Sequence, residues 1–277
     1  MQELTSIQHM QKIVLGILDH VTGLCGRHGL RYFLIRGTCI GAVRHHGFVP
    51  WDDDIDIAMP RQDYDRLAEI MLAEEHPIYK LLTLQDGTDY FYEFNKVTDT
   101  RTRLVEPGAK IEITGLGLFI DIFPLDGLGN DLEKAKKLFL NTQNSARKIA
   151  SCANINKSLS ADRIFIRCIR RCLYAMKSRK KSFEKVVDGV RKYSFDESAY
   201  VSSTFGRHGM DDLYEQGIFS GALQVPFEGR TVSIPSGYDA YLRKLYGDYM
   251  SMPPEEERKP HHYVKVFCEE SLARELS

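Results

Sequence analysis

Apolar side chains at Ile7, Met10, Val14, Ile17, Val21 and Leu24 recur in steps of three and four, the spacing of one stripe along a helix over residues 5–27. Gly26 and Gly29 supply its stop. The β-rich run Arg31-Tyr-Phe-Leu-Ile35 predicts a strand ended by Gly37, and Thr38 is placed to cap a short helix through about Arg44. After the loop His46-Gly-Phe-Val-Pro-Trp51, a second strand is expected over Asp54–Met59. Pro60 closes it and opens a helix over Arg61–Leu72. Strand patterns follow at Ile78–Leu84, Tyr90–Val97, Thr102–Val105 and Gly117–Phe123, punctuated by Gly, Asp and Pro. Residues 131–192 read as helical with a break near 151–161. Phe227–Val232 reads as a hairpin turning at Glu228-Gly229, Tyr238–Tyr246 as a helix, and Met252–Pro260 as a polar loop. The expected architecture is α+β: one mixed sheet flanked by helices in a single domain over 1–277. It carries a helical insertion at about 131–192 and a small α+β part at about 213–270. No repeat or flexible linker divides it.

The stretch Gly47–Arg61, GFVPWDDDIDIAMPR, breaks the apolar logic of a core strand. Along a strand, residues two apart share a face, so Asp52, Asp54 and Asp56 line one side while Ile55 and Ile57 enter a core on the other. Ionised carboxylates gathered on one face repel unless positive charge sits among them. A hard divalent cation, Mg²⁺ or Mn²⁺, prefers oxygen ligands and supplies that charge. The common fate of an aspartate-rich stretch is a solvated turn, but Trp51, Ile55 and Ile57 call for burial. An EF-hand loop starting at Asp52 needs Gly sixth and Glu twelfth, where Ile57 and Asp63 stand. Asp121, inside the apolar run Leu118-Phe-Ile-Asp-Ile-Phe-Pro124, needs a reason to be there: as a third ligand, as a base for an attacking hydroxyl, or as a structural carboxylate held by backbone. Such a metal beside the Gly37-Thr38 turn, whose free N–H groups suit a phosphate, fits phosphoryl or nucleotidyl transfer.

Composition narrows the classes. The chain has 277 residues, 43% hydrophobic and 27% charged, with a net charge of -1. That balance does not suit a nucleic-acid-coating protein, and no nucleic-acid partner is expected. Neither a bilayer-length apolar run nor a signal-peptide block is present, so the protein is expected in the cytoplasm. Six scattered cysteines without a Cys-x-x-Cys pair read as reduced thiols rather than a zinc site. Within residues 163–181, Phe165, Ile169, Cys172 and Met176 form one helical face, with Arg163, Arg167, Arg170, Arg171 and Lys177 opposite. A basic amphipathic helix of this kind suits peripheral contact with an anionic membrane, here the inner face of the plasma membrane. The commoner use is a helix packed on the core with a solvated basic face.

The run GTCIGAVRHHGFVPWDDDIDIAMPRQDYDRL resembles the signature of the LicD family, relatives of fukutin and fukutin-related protein in the nucleotidyltransferase-fold superfamily. FNKVTDTRT around Lys96, LFIDIFPLDG around Asp121, and YLRKLYGDYMSMPPEEERKPHHY extend the resemblance over about residues 5–265. The resemblance implies a nucleotidyltransferase-like core and transfer of phosphocholine, or a related phosphoalcohol, from CDP-choline or another CDP-alcohol. The acceptor implied is a sugar hydroxyl of a cell-surface glycan precursor (teichoic acid, lipopolysaccharide or capsule), in such pathways commonly lipid-linked. Matched by position, Gly37 and Thr38 take the phosphate turn and Asp54 and Asp56 the paired acids. Asp121 takes the third carboxylate, and Asp52 is a further ligand or a supporting group. Arg36 stands where family members often carry glycine. Arg44 is a candidate phosphate clamp, Lys96 a candidate contact to the diphosphate, and Arg258, His261 and His262 candidates to close over the site. Two rivals remain: a metal-dependent glycosyltransferase using its own Asp-x-Asp pair, and a non-catalytic protein that only binds nucleotide or glycan.

Overall fold

A computed structural model describes residues 1–84, 90, 92–105, 113–153, 179–206, 208–259 and 265–276. In it, helix α1 (Ile7–His28) is capped by Ser6, whose hydroxyl accepts the His9 N–H at 3.3 Å, and ends on Gly29 at φ 65°. Its apolar stripe, Val14, Ile17, Leu18, Val21 and Leu24, is wholly buried. That stripe lies against strands β5 (Asn95–Asp99) and β7 (Phe119–Gly127) of the main sheet.

The main sheet runs β2 (Phe33–Leu34), β3 (Asp56–Pro60), β7, β5, β4 (Tyr79–Leu82), with β8 (Tyr200–Ser202) and β9 (Leu213–Glu215) added beyond β7. Only β3 and β7 are parallel; every other pairing in it is antiparallel. The parallel pair forms the centre, and its residues are correspondingly apolar: Ile57, Ala58 and Met59 on β3, Ile120, Ile122, Phe123 and Leu125 on β7, all buried. Helix α3 (Arg61–Ala73) follows β3 directly and packs back on β7. A second sheet joins β1 (Gln2–Leu4), β12 (Lys265–Cys268) and β6 (Thr102–Val105), with helix α7 (Glu270–Leu276) after it, so the two ends of the chain meet. The hairpin β10 (Ala222–Phe227)–β11 (Arg230–Pro235) lies against β2. Helices α4 (Leu132–Ala153) and α5 (Arg179–Val190) pack on each other, and α6 (Tyr238–Tyr246) lies against β11. The architecture is α+β, as expected. No helix among the described residues is long and apolar enough to cross a membrane.

Several expected elements shift. The strand expected from Asp54 begins at Asp56, because a turn closed by Asp52 N–H on Val49 C=O at 2.8 Å bends the preceding chain. Asp52 and Asp54 therefore sit in the lead-in rather than on the strand. Thr38 does not cap a helix: α2 (Arg36–Ile40) starts two residues earlier and continues as one π turn over Gly41–His45. The strand expected from Tyr90 begins at Asn95, since the Tyr90 hydroxyl donates to the Phe94 carbonyl at 2.7 Å and closes a local loop. β7 runs on to Gly127, past Pro124, because β3 pairs with it as far as Leu125 and β8 pairs with Asp126 and Gly127. The hairpin turn falls at Glu228-Gly229, both at positive φ, 48° and 73°. Most of the basic helix, residues 163–178, lies outside the described residues, as do His261 and His262.

Candidate active site

The parallel register of β3 and β7 sets Asp56 directly beside Asp121. Their strands carry apolar residues to either side, and the two carboxylates open into a cavity of about 870 Å³ at the strand ends. Asp52 and Asp54 line the same cavity from the lead-in. Three backbone ties fix this geometry: the Asp56 N–H donates to Thr38 Oγ1 at 2.9 Å, the Asp121 N–H to Ile55 C=O at 2.9 Å, and Gln11 Nε2 to Asp52 C=O at 2.8 Å. Thr38 thus positions the acid strand through its hydroxyl. Gly37 lines the cavity, and a Cβ on it would stand 2.8 Å from Asp52 Oδ2. At Gly41 a Cβ would meet the Gly47 carbonyl oxygen at 2.4 Å. Close approach to backbone requires glycine at 41, whereas at Gly37 the end of the Asp52 side chain would have to move.

Two cations from the chain face the acids. Lys96, buried on β5 opposite Asp121, ion-pairs with it and lies over the rings of Phe119 (3.4 Å), Tyr92 (4.8 Å) and Phe94 (5.2 Å). Arg36 reaches Asp56 Oδ2 at 3.5 Å and stacks on Phe123 at 3.9 Å. Burial pushes the Asp56 carboxyl up to about 7; Arg36 opposes this, while Asp54 and Asp121 add to it. Burial by itself would lower the Arg36 pKa, but Asp56 and neighbouring Tyr241 and Asp212 outweigh it and hold the guanidinium charged.

Arg44 lines the cavity, but its Nη1 donates to the carbonyls of Tyr249 (2.7 Å) and Ser251 (3.0 Å), which ties down the 249–251 loop. Arg258 is held by its Nε on the Pro253 carbonyl at 2.8 Å and stands over Trp51 at 6.0 Å; it is not among the residues that line the cavity. Sequence reasoning missed His208, Tyr246, Asp248 and Glu257, which also line the cavity. The His208 ring meets Tyr246 edge-on at 5.8 Å. Tyr246, Asp248 and Glu257 fall in the YLRKLYGDYMSMPPEEERKPHHY run, which carried the resemblance without singling them out, and no local pattern marks His208.

As the side chains stand, no three His, Cys, Asp or Glu residues among those described are gathered around a point that could hold a metal ion. Asp121 and Asp56 are held instead by Lys96 and Arg36. The donor set still fits a hard divalent cation. Its ligating atoms are all carboxylate oxygens, and Asp54 and Asp121 each make Asp56 harder to ionise, which places the three within mutual electrostatic reach. An added cation between them would relieve that repulsion.

Residues 29–148 match the family model described as LicD/FKTN/FKRP, nucleotidyltransferase domain. Over 273 residues, 96% of this chain and 99% of the relative, the chain is 30% identical to the lipopolysaccharide cholinephosphotransferase LicD of Haemophilus influenzae. A shorter stretch of 55 residues is 34% identical to the human ribitol 5-phosphate transferase FKRP, covering 20% of this chain and 11% of that protein. An uncharacterised protein of Rickettsia prowazekii is 40% identical over 48 residues, 17% of this chain and 18% of its own length.

Proposed function

Because the chain belongs to the LicD family and is a phosphotransferase of that type, we propose that it moves phosphocholine, or a related phosphoalcohol, from a CDP-alcohol to a sugar hydroxyl. The acceptor is a cell-surface glycan precursor, lipopolysaccharide being the class named for the Haemophilus relative, and CMP is released. One observation carries this reading: Asp54, Asp56 and Asp121 converge on a single cavity large enough for a nucleotide donor. Among the described residues, six carboxylates line that cavity (Asp52, Asp54, Asp56, Asp121, Asp248, Glu257) against three cationic side chains, Arg36, Arg44 and Lys96. A nucleoside diphosphate adds negative charge to an already acidic site, so its entry calls for further positive charge.

Asp54, Asp56 and Asp121, with Asp52 beside them, would hold Mg²⁺ or Mn²⁺. When bound, the ion supplies charge neutralisation to the diphosphate oxygens and to the leaving CMP. The chain's own residues do the rest. Lys96 stands beside Asp121 and exchanges that carboxylate for a phosphate oxygen as the donor enters. Trp51, Tyr92, Phe94 and Phe119 form an apolar wall that excludes water from the transferring group. The acceptor hydroxyl attacks the β-phosphorus in line, the bond from that phosphorus to the bridging oxygen breaks, and CMP leaves with the oxygen. Asp121 takes the hydroxyl proton. The reaction is placed in the cytoplasm, at the inner membrane face where a lipid-linked acceptor would be presented.

The test is turnover of CDP-choline, CDP-ethanolamine, CDP-glycerol and CDP-ribitol, with UDP-sugars alongside, in Mg²⁺ and in EDTA. CMP release from at least one CDP-alcohol, lost in EDTA, is the expected result. Turnover of UDP-sugars without CMP release would make the protein a glycosyltransferase, and absence of all turnover would make it a binding protein.

A further inference from the structure

Arg36 sits in the left-handed backbone region at φ 52°, where glycine is at ease and an arginine is strained. Its N–H donates to the Tyr241 hydroxyl at 3.2 Å, which holds that conformation. The guanidinium lies flat on Phe123 and lines the cavity. Among the described residues its one carboxylate contact, Asp56 Oδ2, is at the long limit of 3.5 Å. Nη2 is sealed from solvent and has no hydrogen-bond partner in the structure. The neighbouring carboxylate, Asp212, is already engaged by the His208 N–H at 2.8 Å and the Tyr214 hydroxyl at 3.1 Å.

The other described cations at the cavity, Lys96 and Arg44, each have a close partner before any donor enters. Lys96 is closed on Asp121, and Arg44 is closed on two carbonyls. Away from the cavity, Arg61 shows what a satisfied buried guanidinium looks like: Nε and Nη2 meet Asp126 at 2.7 and 3.0 Å, as a fork. Arg36 has no such fork. A buried charged donor without an acceptor is costly, and a guanidinium fork matches two oxygens of one phosphate.

We propose that Arg36 binds the diphosphate of the donor, supplying from this chain a fixed cationic contact beside the acid strand. Resting on the CDP-alcohol reading of the cavity, the inference assigns Arg36 to the phosphates and not to the nucleoside. A purely structural arginine, present only to neutralise Asp56, would prop up the cavity for every ligand alike.

Calorimetric titration with CDP, inorganic pyrophosphate and cytidine, in Mg²⁺ and again in EDTA, separates the two. Arg36→Gly suits the backbone at φ 52° and is expected to fold. It should weaken CDP and pyrophosphate about ten-fold or more, the size of a lost hydrogen bond to a charged group, and leave cytidine unchanged. Arg36→Lys, which keeps the charge but not the fork, should recover only part of the loss. Equal CDP affinity in wild type and Arg36→Gly overturns the inference alone. A loss of cytidine as large as that of CDP overturns it too, by making Arg36 a prop. Wild-type protein that binds neither CDP nor pyrophosphate overturns both this inference and the proposed function.

Discussion

Asp56→Asn should stabilise the metal-free protein while destroying its activity. The Asp56 carboxyl titrates at about 7 in the folded chain, against an ordinary value of 3.8, with burial the main cause and Asp54 and Asp121 adding to it. The folded state therefore holds this proton more tightly than the unfolded chain does. Stability falls as pH rises from about 4 to about 7 and stays low above that range. At about 1.36 kcal/mol per pH unit, the ionised carboxylate costs the fold ~4 kcal/mol above pH 7, less whatever water entering the cavity screens. The interaction with Arg36 is already contained in that balance, so an asparagine of the same shape, never ionised, removes the cost. For a chain of this size the gain corresponds to a rise of roughly 5–10 °C in melting temperature at pH 8. Thermal unfolding in EDTA at pH 5 and pH 8 reads it out: the gap between Asp56→Asn and wild type should be wide at pH 8 and narrow toward pH 5. Added Mg²⁺ should raise the wild-type melt at pH 8 and leave that of the variant unmoved. An Asp56→Asn protein no more stable than wild type at pH 8, or one whose advantage grows on acidification, would refute the idea that a buried carboxylate, further repelled by Asp54 and Asp121, destabilises this strand.

Three further outcomes follow from the same geometry. Asp121→Asn should fold and lose CMP release about 100-fold or more, since its contacts face the cavity; activity near wild type removes Asp121 from the chemistry. Arg61→Met or Asp126→Asn should each cost about 3–5 kcal/mol in urea unfolding, because either leaves one member of a buried fork, itself bonded by Thr204 at 2.7 Å, without its partner. The double variant should lose clearly less than the sum of the two, and strict additivity would contradict the pairing. Gly41→Ala should destabilise by about 1–3 kcal/mol, since its Cβ would press on the Gly47 backbone. It should also raise the KM for the donor, because the displaced loop leads into Asp52 and Asp54; a fully stable, fully active Gly41→Ala would show that this contact gives way freely.

Local chemistry wrote much of the molecule legibly. The three-and-four spacing from Ile7 to Leu24 sets the face of α1 that is buried, and Glu228-Gly229 marks a hairpin turn with two positive φ angles. The Asp-Ile-Asp-Ile alternation and the anomalous Asp121 in an apolar run single out the acids that line the cavity, since periodicity and polarity are properties of a few neighbouring residues. Other features needed the whole chain. That Asp56 faces Asp121 is a matter of parallel register between strands far apart in sequence, which no local period encodes. Asp52 and Asp54 reach the cavity from a bent lead-in rather than by strand alternation, because the Val49 turn outcompetes continued pairing. Lys96 settles on Asp121 and Arg36 on Asp56, and His208, Tyr246, Asp248 and Glu257 close the cavity from the other half of the chain. Sequence fixes which side chains can form helix, strand or turn and which charges are out of place there. Only the packed structure decides which of those charges meet, because Coulombic and hydrogen-bonding partners are chosen by distance in space and not by distance along the chain.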